Sequence, residues 1–382
     1  MNILIYSNVT TESTGGGSVS MKTTLNELIR KGHKVNLVNN YDDFKKNIFV
    51  NKPDIVMHQN IRGLIEVVNL CRKSKIPIIT TINNAITCLN SCHTNFYDDD
   101  KQLGIQCLKC GPIKSVHCAW HDWRESLKQR IRNTATAEIR YWYLLKRRMS
   151  ALNQLNGIII IGHIGKTLLK NAGVNKTPYV IPQPINDSYL IAESEVKKPK
   201  KSNIIFLPKI DFSSGAHLIF PLFTKEKYKN FTLIATIGNL QNPKDRDFFE
   251  QFRNHPNIKL IDYVKTEEMK KLYQDSLFII FPLIMTGLYG RTWAESIACG
   301  TPVLSFAGRG CAHDYLTHLE NGYFVDVNMD ALEAGIDELI ANPKLREKLR
   351  INGWKYAKEN LVASKVIPKI EAVLKEVVEA KS

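Results

Sequence analysis

The stretch GRTWAESIACGTPVLSF, residues 290–306, determines how the rest of the chain is interpreted. It follows LFIIFPLIM (277–285), an apolar run that is typical of a buried strand. Gly290 permits a tight turn, and the small residues that follow allow a helix to pack closely on a sheet. A Thr-Pro pair ends that helix, and VLSF is the next strand. The stretch therefore predicts a strand–turn–helix–strand unit of a parallel sheet.

Two charged residues lie in this unit. Arg291 follows the turn, where it can face a phosphate, and Glu295 lies four residues later. Open α/β sheets bind ligands at the carboxyl ends of their strands, and a Glu at such a place commonly receives ribose hydroxyls. The alternative is that the two side chains form an i, i+4 surface pair, which contributes only a few tenths of a kcal/mol.

Strand-like and helical patterns alternate along the whole chain, in one series from residue 3 and a second from about residue 203. Such alternation implies parallel sheets covered on both faces, so two series predict two doubly wound α/β domains. A polar, charged stretch between them is typical of a linker. The predicted units are an N-terminal domain over 1–186, a linker over 187–203, a C-terminal domain over 204–355 and a helical segment over 356–382 that can cross back to the N-terminal domain.

The 382 residues carry a formal net charge of +15, which favours an anionic partner such as a phosphate, a nucleic acid or an acidic membrane. Nucleic acid is a poor candidate because the chain has no groove-reading motif. The first residues, MNILIYSN, become polar too soon for a secretory signal. The longest apolar runs have about half of the ~20 residues that a membrane-spanning helix needs. We therefore expect a cytoplasmic protein.

Three consecutive glycines, Gly15, Gly16 and Gly17, follow the first predicted strand and open a helix at Ser18. Glycine lets the backbone approach a ligand closely, and a helix N-terminus offers free N–H groups to an anion. The spacing differs from the dinucleotide-binding pattern G-x-G-x-x-G. A phosphate-binding loop and a plain flexible turn both remain open.

Five cysteines lie close together in the sequence: Cys88, Cys92, Cys107, Cys110 and Cys118. The C-x-x-C pair within CLKCG presents two thiolates from one tight turn, and a further pair can complete a tetrahedral zinc site. A [4Fe–4S] cluster also takes four thiolates and is the alternative metal centre. Reduced core cysteines, or disulfides in an oxidising compartment, are the alternatives without a metal.

A basic helical pattern spans residues 121–150. Apolar residues recur in it every three to four positions: Trp123, Leu127, Ile131, Ala135, Ile139, Trp142, Leu145 and Met149. Basic amphipathic helices that contain aromatic residues often lie on anionic membranes. The favoured interpretation is a core-packed helix with a solvated basic face, and peripheral contact with an anionic membrane is the secondary one.

Residues 290–306 closely resemble the donor-binding signature of glycosyltransferase family 4, the retaining nucleotide-sugar transferases of GT-B fold. Further segments resemble that family in the same order along nearly the whole chain: MNILIYSNVTTESTGGG, IIIIGHIGKTLLKNAGV, YVIPQPIND, NIKLIDYVKTEEMKKLYQDSLFIIFPL and NGYFVDVNMDALEAGIDELIANPKLREKLRINGWKYAKE. By this resemblance, the fold is GT-B, with two doubly wound Rossmann-like domains that face each other across a cleft. The implied activity is that of a glycosyltransferase of the hexosyltransferase class.

The resemblance implies that the N-terminal domain holds a saccharide or lipid-linked acceptor and the C-terminal domain holds a nucleoside-diphosphate sugar. The sugar is transferred with retention, and positive groups rather than a metal ion stabilise the departing diphosphate. By this resemblance, Glu295 contacts the ribose of the donor, and Arg291 and Lys209 contact the diphosphate. Further donor contacts are implied for Ser214, Gly290, Thr292 and the loop of Gly15, Gly16 and Gly17. His58 and Asn83 are candidates for contact with the sugar or the acceptor.

The chain departs from the family pattern at several of these positions. The family usually has two Glu separated by seven residues, and here the first of them is Gly287. An Arg–Lys pair of the family aligns with Lys209 and Ser214, and a family His aligns with Asn83. Lys in place of Arg keeps the charge but loses the two-pronged donor. Three possibilities stay open: a transferase with an unusual donor, a weakened transferase, and a nucleotide- or sugar-binding protein descended from one.

A subset of the same family has a similar cysteine pattern, C…C-x-x-C…H-x-C. By this resemblance the metal ligands are Cys88, Cys107, Cys110 and Cys118, with Cys92 as a spare. The implied structural zinc ion stabilises an insert, residues 88–118, near the acceptor side of the cleft.

Overall fold

Two six-stranded parallel sheets form the frame of the molecule, and a two-stranded antiparallel sheet accompanies them. The computed structural model describes residues 1–7, 16–59, 61–89, 94–95, 103–122, 125–197, 202–208, 210–237, 243–262, 264–286 and 290–380. The strands within these ranges are β1 (Asn2–Ser7), β2 (Lys34–Val38), β3 (Ile55–Gln59), β4 (Ile78–Ile82), β5 (Thr94–Asn95), β6 (Ile105–Gln106), β7 (Gly157–Ile160), β8 (Tyr179–Val180), β9 (Ile204–Leu207), β10 (Thr232–Thr236), β11 (Ile258–Ile261), β12 (Phe278–Phe281), β13 (Val303–Phe306) and β14 (Tyr323–Val325).

Helices connect the strands. They are α1 (Gly16–Arg30), α2 (Tyr41–Val50), α3 (Leu64–Lys73), α4 (Pro112–Trp120), α5 (Leu127–Ile139), α6 (Lys146–Asn153), α7 (Ile164–Asn171), α8 (Glu193–Lys197), α9 (Ala216–Phe223), α10 (Pro243–Glu250), α11 (Thr266–Asp275), α12 (Thr292–Ala298), α13 (Met329–Ala341), α14 (Pro343–Asn360) and α15 (Ala363–Glu379). A π-helical segment, Arg140–Leu145, joins α5 to α6. None of the described helices has both the length and the apolar character needed to cross a bilayer.

The first sheet has the order β2-β1-β3-β4-β7-β8 and the second has the order β11-β10-β9-β12-β13-β14. Neighbouring strands are parallel in both. Strands β3, β4, β7, β12 and β13 are buried at every residue, as apolar strands covered on both faces should be. The prediction of two doubly wound α/β sheets is therefore confirmed.

Each sheet contains a point at which the winding direction reverses. In the first sheet β1 lies beside β3, and in the second β9 lies beside β12, although each pair is separated in the chain by other strands. A crevice opens at such a point beyond the carboxyl ends of the strands, and ligands bind there. The predicted donor residues Lys209 and Arg291 follow β9 and β12 in the sequence. The winding of the second sheet places the carboxyl ends of these two strands side by side at one edge.

The last helix, α15, packs on the first sheet. Its buried residues Val366, Ile367 and Ile370 belong to the same apolar cluster as Ile3 and Ile5 of β1. An ion pair supports the contact, because Glu371 lies 3.1 Å from Lys31 Nζ and 3.3 Å from His33 Nε2. The C-terminal segment thus joins the half of the chain that carries the second sheet to the first sheet.

The segment predicted as a linker is partly helical. Within it, Val196 of α8 packs with Ile191 and Trp354, and Trp354 Nε1 donates to the carbonyl oxygen of Ile191 at 3.0 Å. Its charged composition predicted a solvated connection. Two apolar side chains, spaced to reach α14, are enough to bury part of it. Residues 198–201 lie outside the described ranges.

The helix predicted over 121–150 is divided into α5, the π-helical segment and α6. Leu127, Ile131, Ile139 and Trp142 of its apolar stripe are 62%, 53%, 70% and 55% exposed, whereas Leu145 and Met149 are buried. A π-turn holds more residues than an α-turn, so it rotates the face that a regular pattern presents. The prediction of a core-packed helix is therefore wrong for α5, although it is correct for α6. Trp123 lies outside the described residues.

Candidate functional site

The turn before α12 requires glycine at Gly290. This residue has a φ of +110°, a conformation that other residues rarely adopt. A Cβ atom there would lie 2.9 Å from the ring of Phe281 and 3.0 Å from that of Trp293. Gly290 therefore lets the backbone adopt the conformation that places Arg291 at the start of α12.

Arg291 and Glu295 form a buried ion pair. Arg291 Nε donates to Glu295 Oε1 at 2.6 Å, and the side chains are only 5% and 9% exposed. The hydroxyl of Tyr273 donates to the other carboxylate oxygen at 3.2 Å. Burial raises the pKa of Glu295 above its ordinary value, and the nearby guanidinium opposes this rise. The i, i+4 pair expected from the sequence is present, but it lies in the interior and not on the surface.

Arg291 also contacts the N-terminal domain. Its Nη1 donates to the hydroxyl of Ser20 in α1 at 3.2 Å. One helical turn earlier is Gly17, where a Cβ atom would lie 3.3 Å from Asn83 Nδ2. Asn83 directly follows β4. The structure therefore brings Gly17, Asn83, Arg291 and Glu295 together where the two sheets meet.

Three adjacent residues at this turn have buried polar atoms without a hydrogen-bond partner among the described residues. They are Arg291 Nη2, Thr292 Oγ1 and Trp293 Nε1. The two nitrogens can only donate, and the hydroxyl can donate as well. A buried donor that stays unpaired costs about 1–3 kcal/mol, so each calls for an explanation. An oxygen-rich ligand would supply acceptors for these three atoms, which have none among the described residues.

Ser214 is the last residue of a short 3₁₀ helix, Phe212–Ser214, that follows β9, and its side chain is buried. Its hydroxyl donates to the carbonyl oxygen of Asp211 at 2.8 Å and accepts from the Asp211 N–H at 3.1 Å. The next residue, Gly215, has a φ of +76°, and a Cβ atom there would lie 2.0 Å from the carbonyl oxygen of Pro282. Ser214 thus stabilises this 3₁₀ helix, and Gly215 lets the chain pass close to Pro282, the residue after β12. Its contact with the donor stays a prediction.

Three predicted site residues, Gly15, Lys209 and Gly287, lie outside the described residues. Gly16 is the first residue of α1, so the glycine loop does lead into a helix. The effect of glycine at position 287 on the donor stays a prediction for the same reason.

His58 is fully buried at the end of β3. Its Nδ1 lies 3.1 Å from the hydroxyl of Thr80 and its Nε2 lies 3.1 Å from the carbonyl oxygen of Arg62. The ring stacks on that of Tyr6, with 5.6 Å between the ring centres. Burial lowers the pKa of His58 to about 4, so the ring is neutral at pH 7. Because both ring nitrogens already have protein partners, the geometry favours a structural role for His58. Its contact with the sugar or the acceptor stays a prediction.

The four cysteines predicted as metal ligands, Cys88, Cys107, Cys110 and Cys118, line one cavity of about 20 Å³. A space of this size holds about one water-sized species, and the choice between a zinc ion and a [4Fe–4S] cluster stays a prediction. No disulfide is present among the seven cysteines that the structure describes. Cys92 lies outside those residues.

The thiols nevertheless do not form a ligand set in this arrangement. Among the described residues, no group of three or more His, Cys, Asp or Glu side chains is placed to hold a metal ion. Instead the thiols face carbonyl oxygens, as for Cys118 Sγ, which lies 4.0 Å from that of Thr94. Burial and the neighbouring thiols of Cys88 and Cys107 raise the pKa of Cys110 to about 12. The side chains converge as predicted, but the ligand geometry is not present.

Three residues of the site carried no sequence signal of their own. Ser20 and Tyr273 contact the Arg291–Glu295 pair, and Arg309 lies buried beside the segment that leads into the turn. Ser20 follows the glycines by one helical turn, which is the one clue the sequence holds. The other two are distant from the turn in the chain.

Known proteins resemble this chain in sequence over part of its length. Residues 189–356 match the family model described as Glycosyl transferases group 1. The uncharacterized glycosyltransferase MJ1607 of Methanocaldococcus jannaschii is 23% identical over 155 residues. That match covers 40% of this chain and 39% of the length of MJ1607.

Solved structures resemble it over nearly the whole chain. Sucrose-phosphate synthase from Thermosynechococcus elongatus has a TM-score of 0.73 at 12% identity, over 99% of both chains. HepE from Anabaena in complex with UDP and glucose has a TM-score of 0.69 at 12% identity, over 98% of this chain and 99% of that one. At this identity, the likeness shows that the folds agree.

Proposed function

We propose that the chain, which has the GT-B fold and matches the group 1 glycosyl transferases over residues 189–356, is a transferase of that group and moves a sugar from a nucleoside-diphosphate donor to a saccharide or lipid-linked acceptor. The observation that carries the proposal is the set of three unpaired buried atoms at Arg291, Thr292 and Trp293. They lie within the matched region, at the edge where this fold binds ligands. The complex of HepE with UDP-glucose supports a donor of this class.

In the proposed donor complex, the diphosphate lies against Arg291 and Lys209, and the ribose lies against Glu295. The guanidinium of Arg291 is held in place by Glu295 and Ser20 before the donor binds. A charge fixed in advance stabilises the departing diphosphate without reorganising during the reaction. Each Glu295 oxygen accepts one hydrogen bond from a protein donor, so it retains a lone pair for a ribose hydroxyl.

The transfer is proposed to retain the configuration of the sugar, with attack on the face from which the diphosphate departs. The positive side chains supply the stabilisation, so the proposed step uses no metal ion. Gly287 replaces the acid that usually contacts the sugar. A protein that binds the nucleotide without turnover is therefore the second candidate.

A panel of radiolabelled uridine, guanosine and adenosine diphosphate sugars tests both candidates. We expect one donor to bind in calorimetry and to lose its sugar to water or to an acceptor. Binding without sugar release would favour the non-catalytic candidate, and binding of none would contradict both. Arg291→Lys should weaken binding of the active donor, whereas Arg253→Lys, in an exposed pair with Glu250, should leave it unchanged.

We also propose that a surface around α5 lies against an anionic membrane. We call it the α5 surface, and its exposed apolar residues are Ile113, Trp120, Leu127, Ile131, Ile139, Trp142, Tyr143 and Leu144. Cations stand beside its aromatic rings, with Arg130 5.4 Å from the Trp120 ring centre and Arg147 4.8 Å from that of Tyr143. Apolar side chains flanked by cations suit the boundary between anionic headgroups and acyl chains.

Vesicle sedimentation tests this contact. The full chain should bind vesicles that contain phosphatidylglycerol and leave phosphatidylcholine vesicles free, with binding that weakens as salt rises. The triple variant Leu127→Ser, Ile131→Ser, Trp142→Ser should bind at least ~10-fold less, since each side chain contributes buried apolar area. The control is Phe49→Ser with Val50→Ser, which removes equally exposed apolar side chains from α2. Equal losses in both variants would contradict a specific surface.

A structural zinc ion on the cysteine insert is a separate proposal. The convergence of four thiols on one cavity supports it, although their present arrangement is not that of a ligand set. Metal analysis of the purified protein should give about one zinc per chain, which Cys110→Ser should remove. Cys71→Ser is the control, because that cysteine is buried elsewhere. Iron with sulfide would indicate a cluster instead, and the absence of both would contradict a metal centre.

A further inference from the structure

The cysteine insert, residues 88–118, is hydrogen-bonded to the segment 284–286. This segment precedes Gly290 and Arg291 in the chain, which we call the donor turn. The hydroxyl of Thr94 in β5 accepts from the Thr286 N–H at 2.9 Å and donates to the carbonyl oxygen of Ile284 at 3.3 Å. These partners are about 190 residues apart in the chain. The hydroxyl lies in the interior, where a hydrogen bond is not exchanged for one with water.

Arg309, in the loop after β13, connects the same two segments. Its Nη1 donates to the carbonyl oxygen of Ile284 and to the hydroxyl of Thr286, both at 3.0 Å. Its Nη2 donates to the carbonyl oxygen of Gly104 in the insert at 2.8 Å. One buried guanidinium therefore holds the insert and the end of the β12 segment at a fixed separation.

The segment 284–286 is the last described part of the chain before the turn. Thr286 precedes Arg291 by five residues, and its N–H, its hydroxyl and the nearby Ile284 carbonyl are all held by Thr94 or Arg309. A displacement of this segment would be transmitted along the chain to Gly290 and Arg291, whose guanidinium faces the proposed donor. The second sheet alone does not set this position, because two of the groups that fix it, Thr94 and the Gly104 carbonyl, come from the insert.

We propose that Thr94 and Arg309 are positioning residues of the donor site. Through them, the cysteine insert fixes the position of the donor turn. The inference rests on the proposed function, since it concerns the nucleotide that binds at this turn. Thr94 also lines the cavity of the four cysteines, so the packing of that cavity and the donor turn share a residue. Because such coupling is reciprocal, a nucleotide bound at the turn stabilises the insert as much as the insert favours the nucleotide.

The first test measures nucleotide affinity in Thr94 variants. Uridine, guanosine and adenosine diphosphate are each titrated into the full chain by calorimetry. Thr94→Val keeps the shape but removes the hydroxyl, so the affinity for the nucleotide that binds should fall roughly fivefold or more. Thr94→Ser keeps the hydroxyl and should stay within about twofold of the wild type. Arg309→Met should have a larger effect than Thr94→Val if it folds, because it removes at least three hydrogen bonds.

A matched control separates positioning from stability. Tyr228→Phe removes a hydroxyl that donates to Asp337 within the C-terminal domain, at a place without contact with the insert. It should lower the unfolding midpoint about as much as Thr94→Val and leave the nucleotide affinity unchanged. A loss of affinity of the same size in Tyr228→Phe would mean that general destabilisation explains the result, and it would overturn the inference.

The second test measures the reverse direction of the coupling. Saturating nucleotide should slow amide hydrogen exchange several-fold in residues 103–110 of the wild type, and Thr94→Val should reduce this protection. If the wild type binds none of the three nucleotides, the proposed function and this inference both fail. If the wild type binds but Thr94→Val has normal affinity and normal protection, the inference alone is overturned.

Discussion

At the donor turn, Arg291 and Glu295 are buried and bonded to each other, whereas along the α5 surface the cations stand in solvent beside exposed rings. Arg291 has two protein partners, Glu295 and Ser20, and both of them are buried. Arg147 on α5 instead lies over the exposed ring of Tyr143. The same type of side chain is thus fixed in one region and free to meet another surface in the other.

The difference follows from desolvation. A buried charge is expensive unless it is paired, so removing one member of a buried pair leaves the other uncompensated. An exposed cation beside an aromatic ring contributes only about 0.5–1 kcal/mol, because water already solvates both groups. The donor turn should therefore be sensitive to single substitutions in both stability and binding. Substitutions on the α5 surface should affect membrane binding alone.

The largest expected effect comes from Arg291→Met. It leaves the Glu295 carboxylate buried without its cation, and we expect the free energy of unfolding to fall by about 3–5 kcal/mol in urea denaturation at pH 7. Because burial already raises the pKa of Glu295, this loss should shrink as the pH falls and the carboxyl is protonated. The exposed pair of Arg253 and Glu250 gives the control, and Arg253→Met should change stability far less than Arg291→Met. Equal losses would show that burial of the pair is not what matters.

A second buried group, His58, predicts a pH dependence. Its pKa is about 4 in the folded protein against an ordinary value of 6.5, because burial disfavours the charged ring. The unfolded chain therefore binds more protons between these two values. The stability that His58 supports is complete above pH 6.5 and is lost as the pH falls, by roughly 3 kcal/mol near pH 4.

Urea denaturation at several pH values measures this dependence. His58→Gln should flatten the slope of the free energy of unfolding between pH 6.5 and pH 4. An unchanged slope in His58→Gln would show that the ring is not held neutral in the interior.

The sequence was sufficient for features that depend on local pattern. Apolar runs such as FIIF predicted β12 because a strand covered on both faces needs no polar residue. Gly290, Arg291 and Glu295 were predictable as a group because a turn and one helical repeat bring them together. The burial of the pair was not predictable, since it depends on Ser20 and Tyr273 from distant segments.

Contacts between distant segments account for most of what could not be predicted. Thr94 and Arg309 reach the donor turn only in the folded chain, and neither has a spacing that indicates it. The C-x-x-C spacing predicted that the cysteines converge. It did not predict that the described thiols face carbonyl oxygens and do not form a set of metal ligands. The orientation of α5 was missed because the π-helical segment interrupts a regular apolar repeat.

The smallest expected effect is on stability at the α5 surface. The triple variant Leu127→Ser, Ile131→Ser, Trp142→Ser should change the free energy of unfolding by less than about 1.5 kcal/mol, since exposed substitutions usually stay within ~0.5 kcal/mol each. Met149→Ala, on the same apolar repeat but buried beyond the π-helical segment, should cost about 2 kcal/mol or more by itself. Substitutions in one apolar repeat would then have different effects on stability on the two sides of the point where the π-helical segment rotates the helix face. If the triple variant loses as much stability as Met149→Ala, the α5 stripe is packed against the protein, and its contact with a membrane is excluded.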